Sequence, residues 1–196
     1  MKTTNAIQLH TDLDALLYPM WLSEKEASQF MVKAQCLPWL HEHIYMFGRK
    51  IKVPRKVLWI ADEGLEYAYS GVSHKPHPWP HWLLNLCKAI NAQFSCRLNS
   101  VLGNFYANGL QYMGYHQDNE RSLEGNSVIV SLSLGACRKF VFRRIGNNEK
   151  VETHLSSGSL LLMWGNAQHD WQHALPKMRT VKEVRMNFTF RTIQQY

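Results

Sequence analysis

The chain reads as a β-rich α+β protein, a closed or sandwiched β core with helices packed against its outside. Three observations lead there. Apolar residues recur at helical spacing in the first half and with a period of two from Ser100 onward. The period-two runs are short and separated by turn residues, the pattern of sandwiches and barrels. A length of 196 residues with 45% hydrophobic composition fills one sizeable core, so one domain is the default.

The first element is a helix from about Ser23 to Gln35. Ser23 and Glu26 make the S-x-x-E capping box, and Ala27, Phe30, Met31 and Ala34 form its apolar stripe. A second helix is expected from Trp82 to Phe94, after the breaker-rich HKPHPWP, with Leu83, Leu86, Cys87, Ile90 and Phe94 on its buried face. Between them, Ile44 to Ser70 holds the strand-like pieces VLWIA and LEYAYS and a basic run from Gly48 to Lys56. From Ser100, the segments SVLGNFY, SVIVSLSL, KFVFRR, KVETHL, SLLLMWG and EVRMNFTFR read as strands. Val128, Val130, Leu132 and Leu134 alternate there with Ser131 and Ser133. Gly146-Asn147-Asn148 is a hairpin-turn signal.

The formal charge of +7 favours a polyanionic partner such as nucleic acid, although a basic enzyme without one has the same balance. The first residues carry Asp12 and Asp14 where an export signal needs apolar side chains. No apolar run approaches the ~18 residues of a membrane span. The four cysteines, Cys36, Cys87, Cys96 and Cys137, form no CxxC pair and read as reduced thiols. These features predict an intracellular, non-secreted protein away from membranes, cytoplasmic in a bacterium and nuclear in a eukaryote, with a monomer as the default.

Chemistry concentrates in His116-Gln117-Asp118, His173, Arg185 and Arg191. Two imidazoles and a carboxylate are the ligand set of non-haem Fe(II) oxygenases and leave three metal positions open. In an extended segment, residues one apart face the same side, so one strand end can deliver both His116 and Asp118. Ten histidines offer rivals: His169 and His173 at a zinc-like spacing, His41 with His43, and His74, His77 and His81. Pro176 and the strand-like surroundings speak against a helix at His169. The last strand alternates Arg185, Asn187, Thr189 and Arg191 with Met186, Phe188 and Phe190. Its polar face can lie in water or line a pocket, and Asn104 with Tyr106 repeats the pattern. Spacing alone leaves both readings open.

These residues resemble the AlkB family of Fe(II)/2-oxoglutarate dioxygenases. The matching stretches run in the family's order from residue 102 to 191: Asn104-Phe105-Tyr106, His116 to Glu120, Ser131 to Gly135, Gly158 to Leu161, His173 to Pro176, and the closing R-x-N-x-T-x-R strand. Upstream, Met46-Phe47-Gly48, Val53 to Lys56, Gly64 to Gly71 and later Ala136 to Arg143 look like the branch that repairs duplex DNA. Residues 1 to 35 match no motif, and Asn119, not an acid, follows Asp118. The resemblance implies a double-stranded β-helix, jelly-roll-like, with flanking N-terminal helices. It implies one domain over 1–196, with helices and a nucleotide-recognition lid in 1–99 and the catalytic core in 100–196.

It further implies that His116, Asp118 and His173 hold Fe(II) and do the catalysis. Arg191 would pair the distal carboxylate of 2-oxoglutarate, with Arg185, Asn187, Asn104 and Tyr106 completing the pocket, and O2 would be the third reactant. The substrate implied is DNA carrying 1-methyladenine or 3-methylcytosine, duplex included and single strands allowed, demethylated with release of formaldehyde, succinate and CO2. A buried base must first be flipped out. Phe47 would fill the gap, while Arg49, Lys50, Lys52, Arg55 and Lys56 would meet the flanking phosphates. Tyr67, Tyr69 and Ser70 would line the base pocket, and Glu120 would face the cationic base. Arg143, Arg144, Lys177, Arg179 and Lys182 are further phosphate candidates. Other readings are an RNA demethylase or another 2-oxoglutarate hydroxylase on the same barrel, a non-catalytic nucleic-acid-binding module, and a zinc hydrolase built on His169 and His173.

Overall fold

A computed structural model describes residues 5–46, 49–65, 67–69, 72–74, 76–118, 123, 127–147 and 149–194. In chain order the elements are β1 (Ile7–His10), β2 (Leu13–Tyr18), α1 (Glu24–Gln35), β3 (Leu40–Met46), β4 (Arg49–Ala61), β5 (Tyr67–Tyr69), β6 (Val72–His74) and α2 (His81–Phe94). Then follow β7 (Ser100–Tyr106), β8 (Met113–His116), β9 (Ile129–Gly135), β10 (Arg138–Arg144), β11 (Lys150–Leu155) and β12 (Leu160–Met163). A short 3-10 helix (Gly165–Gln168), β13 (Trp171–Leu175) and β14 (Arg185–Arg191) close the chain.

The strands form an eight-stranded sheet, ordered β1-β2-β12-β9-β14-β7-β4-β3, and a four-stranded sheet, ordered β11-β10-β13-β8. Their named pairings are antiparallel, and the two sheets make the double-stranded β-helix expected from the sequence. Alternation sorts each strand between two cores. On the outer face of the large sheet, Val130, Leu132, Leu160, Met186, Phe188 and Phe190 pack under α1 and α2. Between the sheets, Leu13, Ala15, Leu161 and Met163 meet Phe142, Leu155 and Trp171.

Both helices lie where the periodicity places them. Ser23 caps α1 with the full capping box, its backbone amide donating to Glu26 at 2.9 Å. These hydrogen bonds, led by that from the Ser23 side chain, hold the Glu26 carboxyl below its ordinary range. The helix α2 starts without a side-chain cap and ends at Ser95 in the left-handed region. β10 and β11 form the hairpin signalled by the Gly146 turn, where Gly146 takes a φ of +84°.

The first strands are the main departure. No motif announces residues 7–18, yet β2 pairs with β12 inside the large sheet, Leu17 opposite Leu161. The large sheet therefore draws strands from before and after residue 100. No helix among the described residues is long and apolar enough to cross a membrane.

The turn after β7 closes against the segment before β14, with hydrogen bonds linking Gly109 to Val181 and Met178. A Cβ at Gly109 would collide with the carbonyl group of Met178. Gly109→Ala is expected to cost about 3 kcal/mol, the upper range for overpacking, read by chemical denaturation; a loss below about 0.5 kcal/mol would contradict this packing.

Candidate metal centre and its cavity

His116 ends β8, His173 lies in β13, and the antiparallel register makes them cross-strand partners. Their rings sit 4.3 Å apart between centroids, within reach for directly opposed residues. Asp118, one residue beyond Gln117, follows onto the same side. Its carboxylate lies 3.9 Å from His116 Nε2 and 3.7 Å from His173 Nε2. One ligand atom from each of the three residues falls within 4.8 Å of the others, and they form the single such group found among the described residues.

The group is held from behind. His116 Nδ1 lies 2.9 Å from the Gly114 carbonyl, which can only accept, so Nδ1 carries the proton and Nε2 keeps its lone pair for a metal. Gln117 donates to the carbonyls of Gln168 and His169, and the Asp118 amide donates to the Gln168 side chain at 3.1 Å. The 3-10 helix that carries Gln168 is in turn clasped by β2. Asp14 and Asn166 exchange hydrogen bonds at 2.8 and 2.9 Å, and a Cβ at Gly165 would strike the Asp14 carboxylate. The N-terminal strand thus supports the metal ligands through two layers of hydrogen bonds.

Electrostatics suit the ligand role. Burial pushes the His173 imidazole down to about 3, with His116 and Arg191 adding to the effect and Asp118 opposing it, so the ring is neutral at physiological pH. Burial alone would raise the Asp118 carboxyl; Arg191, followed by the two histidines, outweighs it and holds the carboxyl below its ordinary range. A neutral imidazole, a fixed tautomer and an ionised carboxylate are what a divalent metal needs. His169, the zinc-site alternative, lies outside the group, and the strand β13 removes the helical spacing that reading required.

The polar face of β14 is not in water. All seven residues from Arg185 to Arg191 are buried. Arg185, Asn187, Thr189 and Arg191 line a cavity of about 320 Å³ that also holds the three ligands, a volume suited to a small co-substrate. Asn104 and Tyr106 reach it from β7, where Asn187 pairs with Asn104 and Arg185 with Tyr106. Ser131 and Ser133 come from β9 and were not singled out as site residues. Ser131 donates to Asn187 at 2.9 Å, and Arg185 donates to Ser133 at 2.9 Å. Their alternation with leucines beside the R-x-N-x-T-x-R strand is the signal that could have found them.

The two arginines of β14 have different surroundings. Arg191, expected at the distal carboxylate, pairs with Asp118 in the metal group. Arg185 stands at the other end of the strand, 5.6 Å over the Tyr106 ring, with its Nε unpartnered among the described residues. Arg138, inside the Ala136 to Arg143 stretch but given no role by it, is fully buried 5.9 Å from the same ring and donates to the carbonyls of Asn108, Gln111 and Pro176. Among the described residues neither arginine has an acid partner. Burial lowers Arg185 to about 10, which leaves it charged, and a buried guanidinium without an acid partner is a strong donor to a carboxylate.

Arg55 also differs from expectation. It is 6% exposed and donates to Asn104 inside the cavity, so it does not face outward to phosphates. Lys56, its neighbour, packs 5.5 Å over Phe105. Arg143 lies 4.0 Å over Tyr115, and Arg144 is tied to Glu149 and Asp12. Tyr67 and Tyr69 fall in β5, of which only the backbone is described. Phe47, Ser70 and Glu120 lie outside the described residues.

His173 gives a pH test. Its value in the fold, about 3, lies below the ordinary 6.5, so the unfolded chain binds the extra proton between these limits. Stability of the metal-free protein is therefore full above about pH 6.5 and falls as pH drops toward 3, and Asp118 acts in the same direction. His173→Gln should flatten that slope in denaturation midpoints measured from pH 7 to 4; an unchanged slope would contradict the burial assigned to this imidazole.

The 2OG-Fe(II) oxygenase superfamily model matches residues 14–191. The human protein named DNA oxidative demethylase ALKBH2 is 37% identical over 158 residues, covering 76% of this chain and 60% of that one. The human alpha-ketoglutarate-dependent dioxygenase alkB homolog 3 is 34% identical over 190 residues, covering 90% of this chain and 65% of that one. The chain thus spans less than two thirds of the length of either relative. The solved structure of OsALKBH1 superposes with a TM-score of 0.70 at 18% identity, over 96% of this chain and all of that one, a likeness of fold. With the matched region reaching from β2 to the last residue of β14, the chain belongs to the 2OG-Fe(II) oxygenase superfamily.

Proposed function

We propose that the protein is a DNA repair dioxygenase that removes methyl groups from N-alkylated bases, 1-methyladenine and 3-methylcytosine, in duplex and single-stranded DNA. The observation that carries the reading is a cavity lined both by the His116, Asp118 and His173 group and, at the far end of β14, by the buried Arg185, which has no acid partner among the described residues. Similarity to proteins named for oxidative DNA demethylation supplies the substrate class.

His116, Asp118 and His173 would hold Fe(II), and a three-residue ligand set would leave room on the metal for a 2-oxo acid and O2. When bound, these supply the oxidation, in which one oxygen atom enters the N-methyl group, lost as formaldehyde, and the other leaves in succinate alongside CO2. The chain's own work is placement. Arg185, with Ser133 and Tyr106 beside it, takes the distal carboxylate of 2-oxoglutarate in place of Arg191. Arg191 steadies Asp118 and with Asn187 and Asn104 orients the end nearest the metal. Apolar Met113, Phe140 and Leu175 line the same cavity and exclude water from the reacting centre.

On the substrate side, a net charge of +7 favours a polyanion. Phe47 remains the proposed wedge for duplex DNA, and Tyr67, Tyr69, Ser70 and Glu120 the proposed base pocket. Arg55 acts there from inside the cavity.

Formaldehyde release is to be measured from matched duplex and single-stranded oligonucleotides bearing 1-methyladenine, with Fe(II), 2-oxoglutarate and O2. Release from both is expected, at least about 100-fold lower in His116→Ala, as for loss of a ligand that orders the reaction. Phe47→Ala should lower the duplex rate more than the single-strand rate. Consumption of 2-oxoglutarate without formaldehyde from any methylated DNA would refute the substrate, and equal losses on both forms would remove the wedge.

A further inference from the structure

Arg138 is among the most deeply buried side chains, and the proposed chemistry does not use it. Its place follows from the path of the chain. β9 ends at Gly135, the register partner of Arg185, and β10 opens at Arg138 three residues later in the other sheet. Alternation along β10 turns Arg138, Phe140 and Phe142 to one side, and Phe140 lines the cavity. Arg138 is thus carried inward at the end of the strand nearest Arg185.

Tyr106 stands between Arg138 and the cavity. Its ring lines the cavity, and the guanidinium carbons of Arg138 and Arg185 lie 5.9 and 5.6 Å from the ring centre. Arg185 is a lining residue too, whereas Arg138 is not. Two cations therefore share one ring. Like charges at such range repel, and more strongly in an interior of low dielectric. At Arg185 the charge of Arg138 adds to the lowering that burial leads and the Tyr106 hydroxyl opposes. Neither cation has an acid partner among the described residues.

A structural role for Arg138 is visible as well. It donates to Asn108 and Gln111 in the turn after β7 and to Pro176 after β13, and so clamps two loops together. Its Nε is buried with no hydrogen-bond partner. Carbonyl dipoles satisfy the N–H groups but leave the net charge in place, and a clamp by itself does not call for a second cation beside Arg185. What balances the pair is an anion entering at Tyr106.

We infer that Arg138 is a positioning residue for the co-substrate. It steadies the Tyr106 ring and places a second positive charge behind it, so this end of the cavity selects a 2-oxo acid with a distal carboxylate over one without. The inference rests on the proposed placement of 2-oxoglutarate with that carboxylate at Arg185.

The test compares 2-oxoglutarate with 2-oxopentanoate, an acid of the same chain length that lacks the distal carboxylate. Dissociation constants are read anaerobically from the charge-transfer absorption of the Fe(II)-loaded protein, for the wild type, Arg138→Gln and Arg138→Lys. Contacts at the metal are common to both acids and cancel in the ratio of the two constants. Arg138→Gln should cut the preference for 2-oxoglutarate about fivefold, below the tenfold scale of a direct charge-assisted contact. Arg138→Lys keeps the charge without the three-carbonyl clamp. It should lower the denaturation midpoint yet hold the preference to within about twofold. An Arg138→Gln protein with unchanged preference, or one that weakens both acids equally, overturns the inference, because a purely structural clamp moves both constants together. A lost preference in Arg138→Lys overturns it too, whether or not Arg138→Gln folds. A wild-type protein that gives no saturable band with either acid would instead overturn the proposed co-substrate site, and the two failures are distinguishable.

Discussion

The antiparallel pairing of β13 with β8 is the constraint on which the site depends. It sets His173 opposite His116, and from that register Asp118 can reach both rings. A slip of one residue would turn one histidine to the opposite face and dissolve the ligand group. The register is held from outside the pair: β13 lies between β8 and β10, and the 3-10 helix that precedes it is clasped by Asp14 of β2. The hydrogen bonds of Gln117 and Gln168 then fix the two residues beyond the strand end. A metal site assembled from one strand end and its neighbour inherits the rigidity of the sheet.

The second constraint is charge. Arg55, Arg138, Arg185 and Arg191 are all buried, at a cost that a core of this size bears only with partners. Arg191 is offset by Asp118 and Arg138 by three carbonyls, while Arg55 gives its Nε to Asn104. Arg185 has hydroxyl and amide oxygens but no anion among the described residues. The imbalance is concentrated at the end of the cavity away from the His116, Asp118 and His173 group, which gives the cavity a direction: candidate metal ligands at one end, an uncompensated positive charge at the other.

Much of this was legible in the sequence. The capping box, both helices and the strands β7, β9, β10, β11, β12 and β14 appear where periodicity put them, because those segments obey one period without interruption; β8 and β13 were legible only as extended stretches around the histidines. The ligand group and the polar face of β14 were legible as motifs. Burial of that face was not, since an alternating strand looks the same in water or in a pocket. The strands β1 and β2 have no clear sequence signal because Leu16 blurs the short alternation of Leu13, Ala15 and Leu17, and the purpose of Asp14 becomes visible only beside Asn166. Arg55 was misplaced for a related reason. Inside a basic run every cation looks solvated, and only the bulge at Pro54 shows which one turns inward.

The central claim is that the chain holds iron and a dicarboxylate at opposite ends of one cavity. Anaerobic titration of the Fe(II)-loaded protein with 2-oxoglutarate, followed by the visible charge-transfer absorption of the 2-oxo acid on iron, tests it directly. The account predicts a saturable band that is absent in His116→Ala. In Arg185→Gln the band should remain but require at least about tenfold more 2-oxoglutarate, the scale of a lost charge-assisted pair. A band unaffected by His116→Ala, or an Arg185→Gln protein that titrates like the wild type, would contradict it.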